Sequence, residues 1–177
     1  MRTLILAAAL MFPMAAFAAG SSDSSPPQPT KTTKVCKDGK IWDEKTKSCA
    51  DAKESRLDDD TRYAAARELA YAGKYDDALY VLAAMSDQEE SRVLTYYGFT
   101  HRKAGRADLG MKYYTAALKA DPDNLLARSY MGQGLVAAGN IEAAKVQLAE
   151  IEARGGKSGW PETSLRKAIQ TGRTYSY

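Results

Sequence analysis

The sequence predicts an all-α domain: a short solenoid of three helix hairpins, closed by a C-terminal capping helix. Apolar residues recur at helical spacing from Asp58 onward, in stripes about one helix face wide. Gly98 and Gly105 stand seven residues apart, and Gly132 and Gly139 repeat this pair 34 residues later. A fixed period of this length indicates stacked helix–turn–helix units rather than one closed globule.

The 177-residue chain begins with features of an exported protein. Arg2 precedes an apolar run at 4–12, and Ala16 and Ala18 have the small-x-small spacing that a signal peptidase reads. We therefore expect residues 1–19 to be a signal peptide. An uncleaved N-terminal anchor is the alternative, although the run is shorter than the ~20 residues that span a bilayer. The expected location is a bacterial periplasm, without stable membrane insertion after signal removal.

Two segments separate this signal from the helical region. Residues 20–34 carry no apolar side chain except proline, which predicts a disordered linker. Residues 35–50 hold Cys36, Cys49 and an Asp-Gly turn signal between them, and this pattern predicts a disulfide-closed β-hairpin on a flexible tether. The alternative interpretation is that the two cysteines form half of a metal site. No histidine is nearby and the spacing differs from that of zinc sites, so we expect no metal.

The basic charge of the chain is confined to the N-terminal segment. Residues 31–56 carry 8 basic and 5 acidic side chains, whereas residues 57–177 carry 16 of each. This excess is too small to predict a nucleic-acid partner, because nucleic-acid binding rests on neutralising many phosphates.

Glycines divide the helical region, residues 57–158, into pairs. Gly73, Gly105 and Gly139 are expected to end the first helix of each pair, because glycine reaches the left-handed conformation without a Cβ clash. Residues 159–177 are expected to form the capping helix and a tail, with Pro161 at the first helical position.

Residues 91–124 resemble a tetratricopeptide repeat, a 34-residue helix–turn–helix motif. Tyr97-Gly98 matches the Leu-Gly pair of that motif, Tyr114 its aromatic residue and Pro122 its closing proline. Two further copies follow the same frame: residues 125–158, which lack the proline, and residues 59–90, which are two residues short. The resemblance implies a right-handed solenoid that binds a protein or peptide partner on its concave face.

The resemblance also implies which side chains line that face. In the family, positions 2, 5, 9 and 12 of the first helix of each repeat point into the groove. Aromatic and arginine side chains together are typical of binding hot spots, although a solvated charged helix face is the alternative interpretation. With two adjacent residues, the predicted protein-binding groove comprises Tyr63, Arg67, Tyr71, Arg92, Thr95, Phe99, Arg102, Lys103, Ser129 and Gln133.

A search for reaction chemistry finds no catalytic constellation. His101, the only histidine, lies on an apolar stripe, so packing is favoured over a role as general base. No serine stands in a Gly-x-Ser-x-Gly elbow, and no complete phosphate-binding or dinucleotide-binding loop is present. We expect a non-catalytic scaffold without a cofactor.

Trp42 supports an alternative function. Cys36-x₂-Gly39-x₂-Trp42-Asp43-x₅-Cys49 is similar to one hairpin of peritrophin-type chitin-binding modules. That similarity implies a cell-wall or glycan-binding module in which Trp42 stacks on a sugar ring. The competing interpretation makes Trp42 the small core of the hairpin.

Overall fold

The computed structural model describes residues 27–174 and contains a helical array with a small β-hairpin at its N-terminal end. Three helix hairpins follow one another, and a last helix packs against the third hairpin. The predicted all-α solenoid, its capping helix and the hairpin before it are thereby confirmed. The elements are α1 (Lys31–Lys34), β1 (Ile41–Asp43), β2 (Ser48–Ala50), α2 (Asp59–Tyr71), α3 (Tyr75–Leu82), α4 (Ser91–Lys103), α5 (Ala107–Ala120), α6 (Leu125–Ala137), α7 (Ile141–Ala153) and α8 (Trp160–Thr171).

The three hairpins turn at the predicted glycines. Gly73, Gly105 and Gly139 have φ values of 77°, 83° and 78°, which place them in the left-handed region. In each turn the following amide bonds back to a carbonyl five residues earlier, as Arg106 N does to His101 O at 2.8 Å. A side chain at these positions would meet no neighbour. The backbone conformation, rather than lack of space, therefore selects glycine here.

Gly98 and Gly132 permit close helix packing, but against different partners. A Cβ at Gly98 would lie 2.5 Å from the ring of Tyr114, so the second helix of that pair sits directly on the first. A Cβ at Gly132 would lie 2.6 Å from Leu165, which belongs to α8 and not to α7. Gly132 therefore accommodates the capping helix and not the second helix of its own hairpin.

One aromatic core joins the β-hairpin to the first helix pairs. Ile41 of β1 is 1% exposed and belongs to the same cluster as Leu69, Tyr96 and Tyr130 of the helices. A second cluster lies between α6, α7 and α8 and includes Leu165. The hairpin is thus packed into the folded body and does not extend from the helices on a flexible tether.

The disulfide prediction is confirmed by the pairing of Cys36 with Cys49. β1 and β2 run antiparallel, with Trp42 opposite Cys49. Gly39 approaches α3 so closely that a Cβ there would lie 2.8 Å from the Tyr80 ring. The Tyr80 hydroxyl also donates to Asp51, just after β2, at 3.0 Å. These contacts fix the disulfide-closed segment on α3.

The end of the predicted linker is ordered, because Glu68 of α2 binds it. The Glu68 carboxylate accepts hydrogen bonds from the backbone amide and hydroxyl of Thr30, both at 2.7 Å, and from the amide of Thr33 at 3.1 Å. The carboxylate therefore satisfies amides at the start of α1. Assignment of Lys31–Lys34 to a disordered linker is corrected accordingly. The predicted signal peptide and residues 20–26 lie outside the described residues.

The last helix begins after Gly159 and has Pro161 as its second residue, one position later than expected. It ends at Thr171, and the residue that caps it, Gly172, has a left-handed φ of 70°. Between residues 27 and 174, no helix combines the length and apolarity needed to cross a bilayer.

Candidate functional site

Four of the predicted groove residues have almost no exposed surface. Thr95, Phe99, Ser129 and Gln133 are each 1% exposed or less. A side chain in that position cannot contact a partner without unpacking the helices, so we expect none of these four to touch a partner directly. Tyr63 and Arg67, at 5% and 7%, are nearly as buried.

The capping helix buries the predicted groove residues of α6. Ser129 and Ser164 of α8 form a hydroxyl–hydroxyl hydrogen bond of 2.9 Å, and the Gln133 amide donates to Ser164 at 3.4 Å. Helix α8 therefore covers the α6 side chains that the resemblance to tetratricopeptide repeats predicted to line an open groove.

Phe99 is buried by rings from two neighbouring helices. Its ring centroid lies 5.0 Å from that of Tyr71 on α2 and 4.9 Å from that of Tyr130 on α6. The hydroxyls of Tyr71 and Tyr130 are in turn hydrogen-bonded to each other. Burial raises the pKa of Tyr130 well above its ordinary value, so this hydroxyl stays protonated. The rings of Tyr71, Phe99 and Tyr130 therefore pack together beneath the cationic side chains of α4.

The cations of the predicted groove lie over these rings. The Arg102 guanidinium lies 6.0 Å from the Phe99 ring centroid, and the Lys103 ammonium lies 5.9 Å from the same centroid. Arg102, Lys103 and Tyr71 are half-buried, so they keep some exposed surface. We call these three residues and the Phe99 beneath them the Phe99 cation cluster. A cation within about 6 Å of a ring centroid is attracted to the face of the ring, so Phe99 helps to position both positive charges.

The positive charge of this cluster has no acidic counterpart in the described part of the chain. No carboxylate of residues 27–174 forms an ion pair with Arg102 or Lys103, and the Arg102 Nη2 atom is buried without a hydrogen-bond partner there. Burial, followed by the charge of Arg102, lowers the pKa of the Lys103 ammonium. An anion bound at this position would supply the missing negative charge and would favour the charged form of Lys103.

Arg92 and Arg67 are engaged within the fold. Arg92 lies 4.7 Å from the Tyr63 ring centroid and forms ion pairs with Asp60, at 2.7 Å, and with Glu90. Arg67 donates to the Tyr96 hydroxyl at 2.9 Å. These two predicted groove residues therefore hold helices together, and we do not place them in the candidate site.

His101 packs in a stack of rings on α4 and α5. Its imidazole lies 5.3 Å from the Tyr113 ring, which lies 5.0 Å from the Tyr97 ring. Nδ1 accepts a hydrogen bond from Arg106 at 2.8 Å. Burial and the Arg106 charge lower the pKa of the imidazole, so the ring is neutral near pH 7. Packing, as favoured from the sequence, accounts for these contacts.

Trp42 is half-buried, and Ile41 rather than Trp42 fills the core beneath the hairpin. The Lys31 ammonium lies 4.3 Å from the Trp42 ring centroid and covers one of its faces. A sugar could stack only on the opposite face, so the glycan-binding alternative stays a prediction without support from this geometry. In residues 27–174, no group of three or more potential ligand side chains is placed to hold a metal ion.

Comparison with protein families matches residues 101–159 to a tetratricopeptide repeat model. The match covers the end of α4 and all of α5, α6 and α7. No curated protein and no solved structure matches the chain.

Proposed function

We propose that this chain, a tetratricopeptide repeat protein, is a non-catalytic scaffold that binds an acidic segment of a partner protein at the Phe99 cation cluster. Tetratricopeptide repeats mediate protein–protein interaction, and this property supports the general role. The proposed contact is narrower than the concave face that the resemblance implies, because several side chains predicted to line that face are buried.

One observation carries the proposal: Arg102 and Lys103 share the ring of Phe99, and no carboxylate of the described chain neutralises them. Two cations that are partly desolvated and unpaired are costly unless a partner supplies negative charge. A carboxylate from the partner would accept hydrogen bonds from Arg102 and complete the cluster. Such charge-assisted bonds are stronger than those between neutral groups.

The cell envelope is the proposed location. The predicted signal peptide would export the chain, and the Cys36–Cys49 disulfide suits an oxidising compartment. The partner would therefore be another envelope protein.

A photocrosslinking amino acid at Tyr71 tests the site in living cells. We expect discrete adducts, which Arg102→Glu together with Lys103→Glu should reduce at least ~10-fold, since each lost charged hydrogen bond costs about 1.5–3 kcal/mol. Tyr113 is the matched control position, because it is also a half-buried tyrosine but belongs to the His101 stack.

Equal adducts at positions 71 and 113, or adducts at 71 that survive both charge reversals, would refute the proposed site. Circular dichroism of the double variant shows whether the helices remain folded.

A further inference from the structure

The side chain of Arg102, on α4, lies against both of the helices that follow it, and its stem passes two glycines. A Cβ at Gly110 of α5 would lie 2.9 Å from the Arg102 Cβ, and a Cβ at Gly134 of α6 would lie 3.2 Å from the Arg102 Cδ. Both distances are shorter than the about 3.5–4.0 Å of favourable contact between carbon atoms. The two missing side chains therefore leave the space that the arginine stem occupies.

The Tyr114 hydroxyl fixes the other end of this side chain. It accepts a hydrogen bond from the Arg102 Nε at 3.3 Å. Tyr114 has no exposed surface, and its ring packs so closely on Gly98 that a Cβ there would lie 2.5 Å away. Burial raises the pKa of Tyr114, although the Arg102 charge opposes this effect, so the hydroxyl stays neutral near pH 7. The acceptor for Nε is therefore held in one place.

With Nε engaged, the terminal nitrogens of Arg102 are the donors that remain for a partner. None of residues 27–174 accepts a hydrogen bond from either of them. Nη2 is buried, so Nη1 is the nitrogen that a partner would reach first. Lys103 differs, because its ammonium lies 5.9 Å from the Phe99 ring centroid and forms no hydrogen bond within the described part of the chain. One cation is thus oriented by its neighbours, and the other is not.

We propose that Gly110, Tyr114 and Gly134 are positioning residues that orient the Arg102 guanidinium toward a carboxylate of the partner. We call these three residues the Arg102 slot. The inference rests on the proposed binding function and adds a reason why the site has an arginine at this position. A guanidinium binds a carboxylate along fixed N–H directions, whereas an ammonium is a point charge whose donors rotate. The slot therefore selects a carboxylate that arrives in one orientation, and Lys103 adds charge without direction.

Two members of the Arg102 slot can be changed without disturbing the helix backbone. A Cβ at Gly134 would meet only the ends of flexible side chains, so Gly134→Ala should push the Arg102 stem aside while the helices stay folded. Tyr114→Phe removes the acceptor for Nε and keeps the buried ring. Gly110 is less suitable, because a Cβ there would also lie 2.8 Å from a backbone oxygen of α4.

NMR signals of arginine Nε–H groups report the position of the guanidinium in the full chain without any partner. We expect one slowly exchanging Nε–H signal, which is assigned by its disappearance in Arg102→Lys. In Tyr114→Phe this hydrogen should exchange with water roughly 3–10-fold faster, because the hydrogen bond that protects it is lost. Tyr113→Phe is the matched control, since Tyr113 is a half-buried tyrosine of the same helix and belongs to the His101 stack.

Adducts of the photocrosslinking amino acid at Tyr71 report binding of the partner in cells. Arg102→Lys should reduce them roughly 10-fold although the charge is kept, whereas Lys103→Arg should preserve most of them. Gly134→Ala and Tyr114→Phe should each reduce them roughly 3–10-fold. Neither change should have a further effect in a chain that carries Arg102→Lys, because both act through the guanidinium.

The outcomes separate this inference from the binding function on which it rests. Absence of discrete adducts at Tyr71, or adducts that survive charge reversal of both cations, would overturn both. Adducts that need both cations but are unchanged by Arg102→Lys or by Tyr114→Phe would overturn the Arg102 slot alone. So would an Nε–H signal that Tyr114→Phe leaves unaltered, or a loss of adducts in Gly134→Ala that urea denaturation traces to lost stability.

Discussion

At the scale of single residues, Gly98 and Gly134 show why two glycines in helices are not equivalent. A Cβ at Gly98 would lie 2.5 Å from the Tyr114 ring, which is completely buried, and 3.1 Å from the Gly110 carbonyl oxygen. A Cβ at Gly134 would meet only the side-chain ends of Met111 and Arg102, at 3.0 and 3.2 Å. Those flexible side chains can move aside, whereas the buried ring and the backbone cannot.

We expect Gly98→Ala to lower the free energy of unfolding by about 1–3 kcal/mol through overpacking. Gly134→Ala should be neutral or stabilising, because alanine favours the helix over glycine by about 1 kcal/mol. Urea denaturation followed by circular dichroism measures both changes. Equal destabilisation by the two variants would show that the contact with Tyr114 does not decide the effect.

Asp43 illustrates a residue whose surroundings make it sensitive to acid. Its carboxylate accepts hydrogen bonds from the Lys45 amide at 2.8 Å, the Thr46 hydroxyl at 3.0 Å and Arg56 at 2.8 Å. The Lys45 amide is the largest cause, and together these donors lower the pKa of Asp43 below its ordinary 3.8. Stability from this group is present above that value and is lost as pH falls through the lowered pKa.

Asp43→Asn should therefore flatten the dependence of the melting temperature on pH between pH 5 and pH 2. The amide cannot ionise, so it removes this contribution from the acid side of the curve. Thermal unfolding across that range gives the measurement. Asp38→Asn is the control, because it removes the same charge from the same segment, whereas Asp38 is exposed and forms no hydrogen bond within residues 27–174.

At the scale of elements, α8 closes the helical array. Leu165 has no exposed surface and packs against Gly132 of α6. Ala168 and Ile151 complete the cluster between α8 and the third hairpin. In a repeat array the last unit exposes an apolar face unless another element covers it, and α8 provides that cover.

Leu165→Ala should lower the free energy of unfolding by about 2–5 kcal/mol, because the cavity adds to the lost burial. Leu109→Ala is the matched control: Leu109 is 37% exposed, so its loss should cost less than about 1 kcal/mol. Chemical denaturation measures the free energy of unfolding of both variants. A small effect at Leu165 would mean that α8 is held mainly by its polar contacts.

At the scale of the whole molecule, the N-terminal module and the helices form one folded body. Ile41 of the hairpin lies in the same apolar cluster as Leu69, Tyr96 and Tyr130 of the helices. Glu68 belongs to α2, as does Tyr71 of the Phe99 cation cluster, and it holds the start of α1. The start of α1 therefore has a defined position relative to the proposed binding site.

The helix hairpins and their turns could be predicted because their determinants are local. Gly105 and Gly139 end helices for a reason confined to their own backbone angles, and the 34-residue period repeats that signal. The disulfide followed from the presence of two cysteines in a segment with a turn between them. Each of these inferences needs only residues that are neighbours in the chain.

The site could not be predicted to the same degree, because burial depends on contacts between distant elements. Phe99 and Gln133 occupy the expected helix positions, yet Tyr71 and Tyr130 bury the first and Ser164 covers the second.

By itself the sequence determined the helical repeat, its turning points and the cysteine pair, since these rest on local conformation and on spacing along the chain. Only the tertiary structure decided that the hairpin is docked, that Glu68 orders Lys31–Lys34, and that the capping helix covers α6. Those outcomes arise from packing between residues that are distant in the chain, such as Thr30 with Glu68. Periodicity reports which face of a helix is apolar, but not which element will come to lie on it.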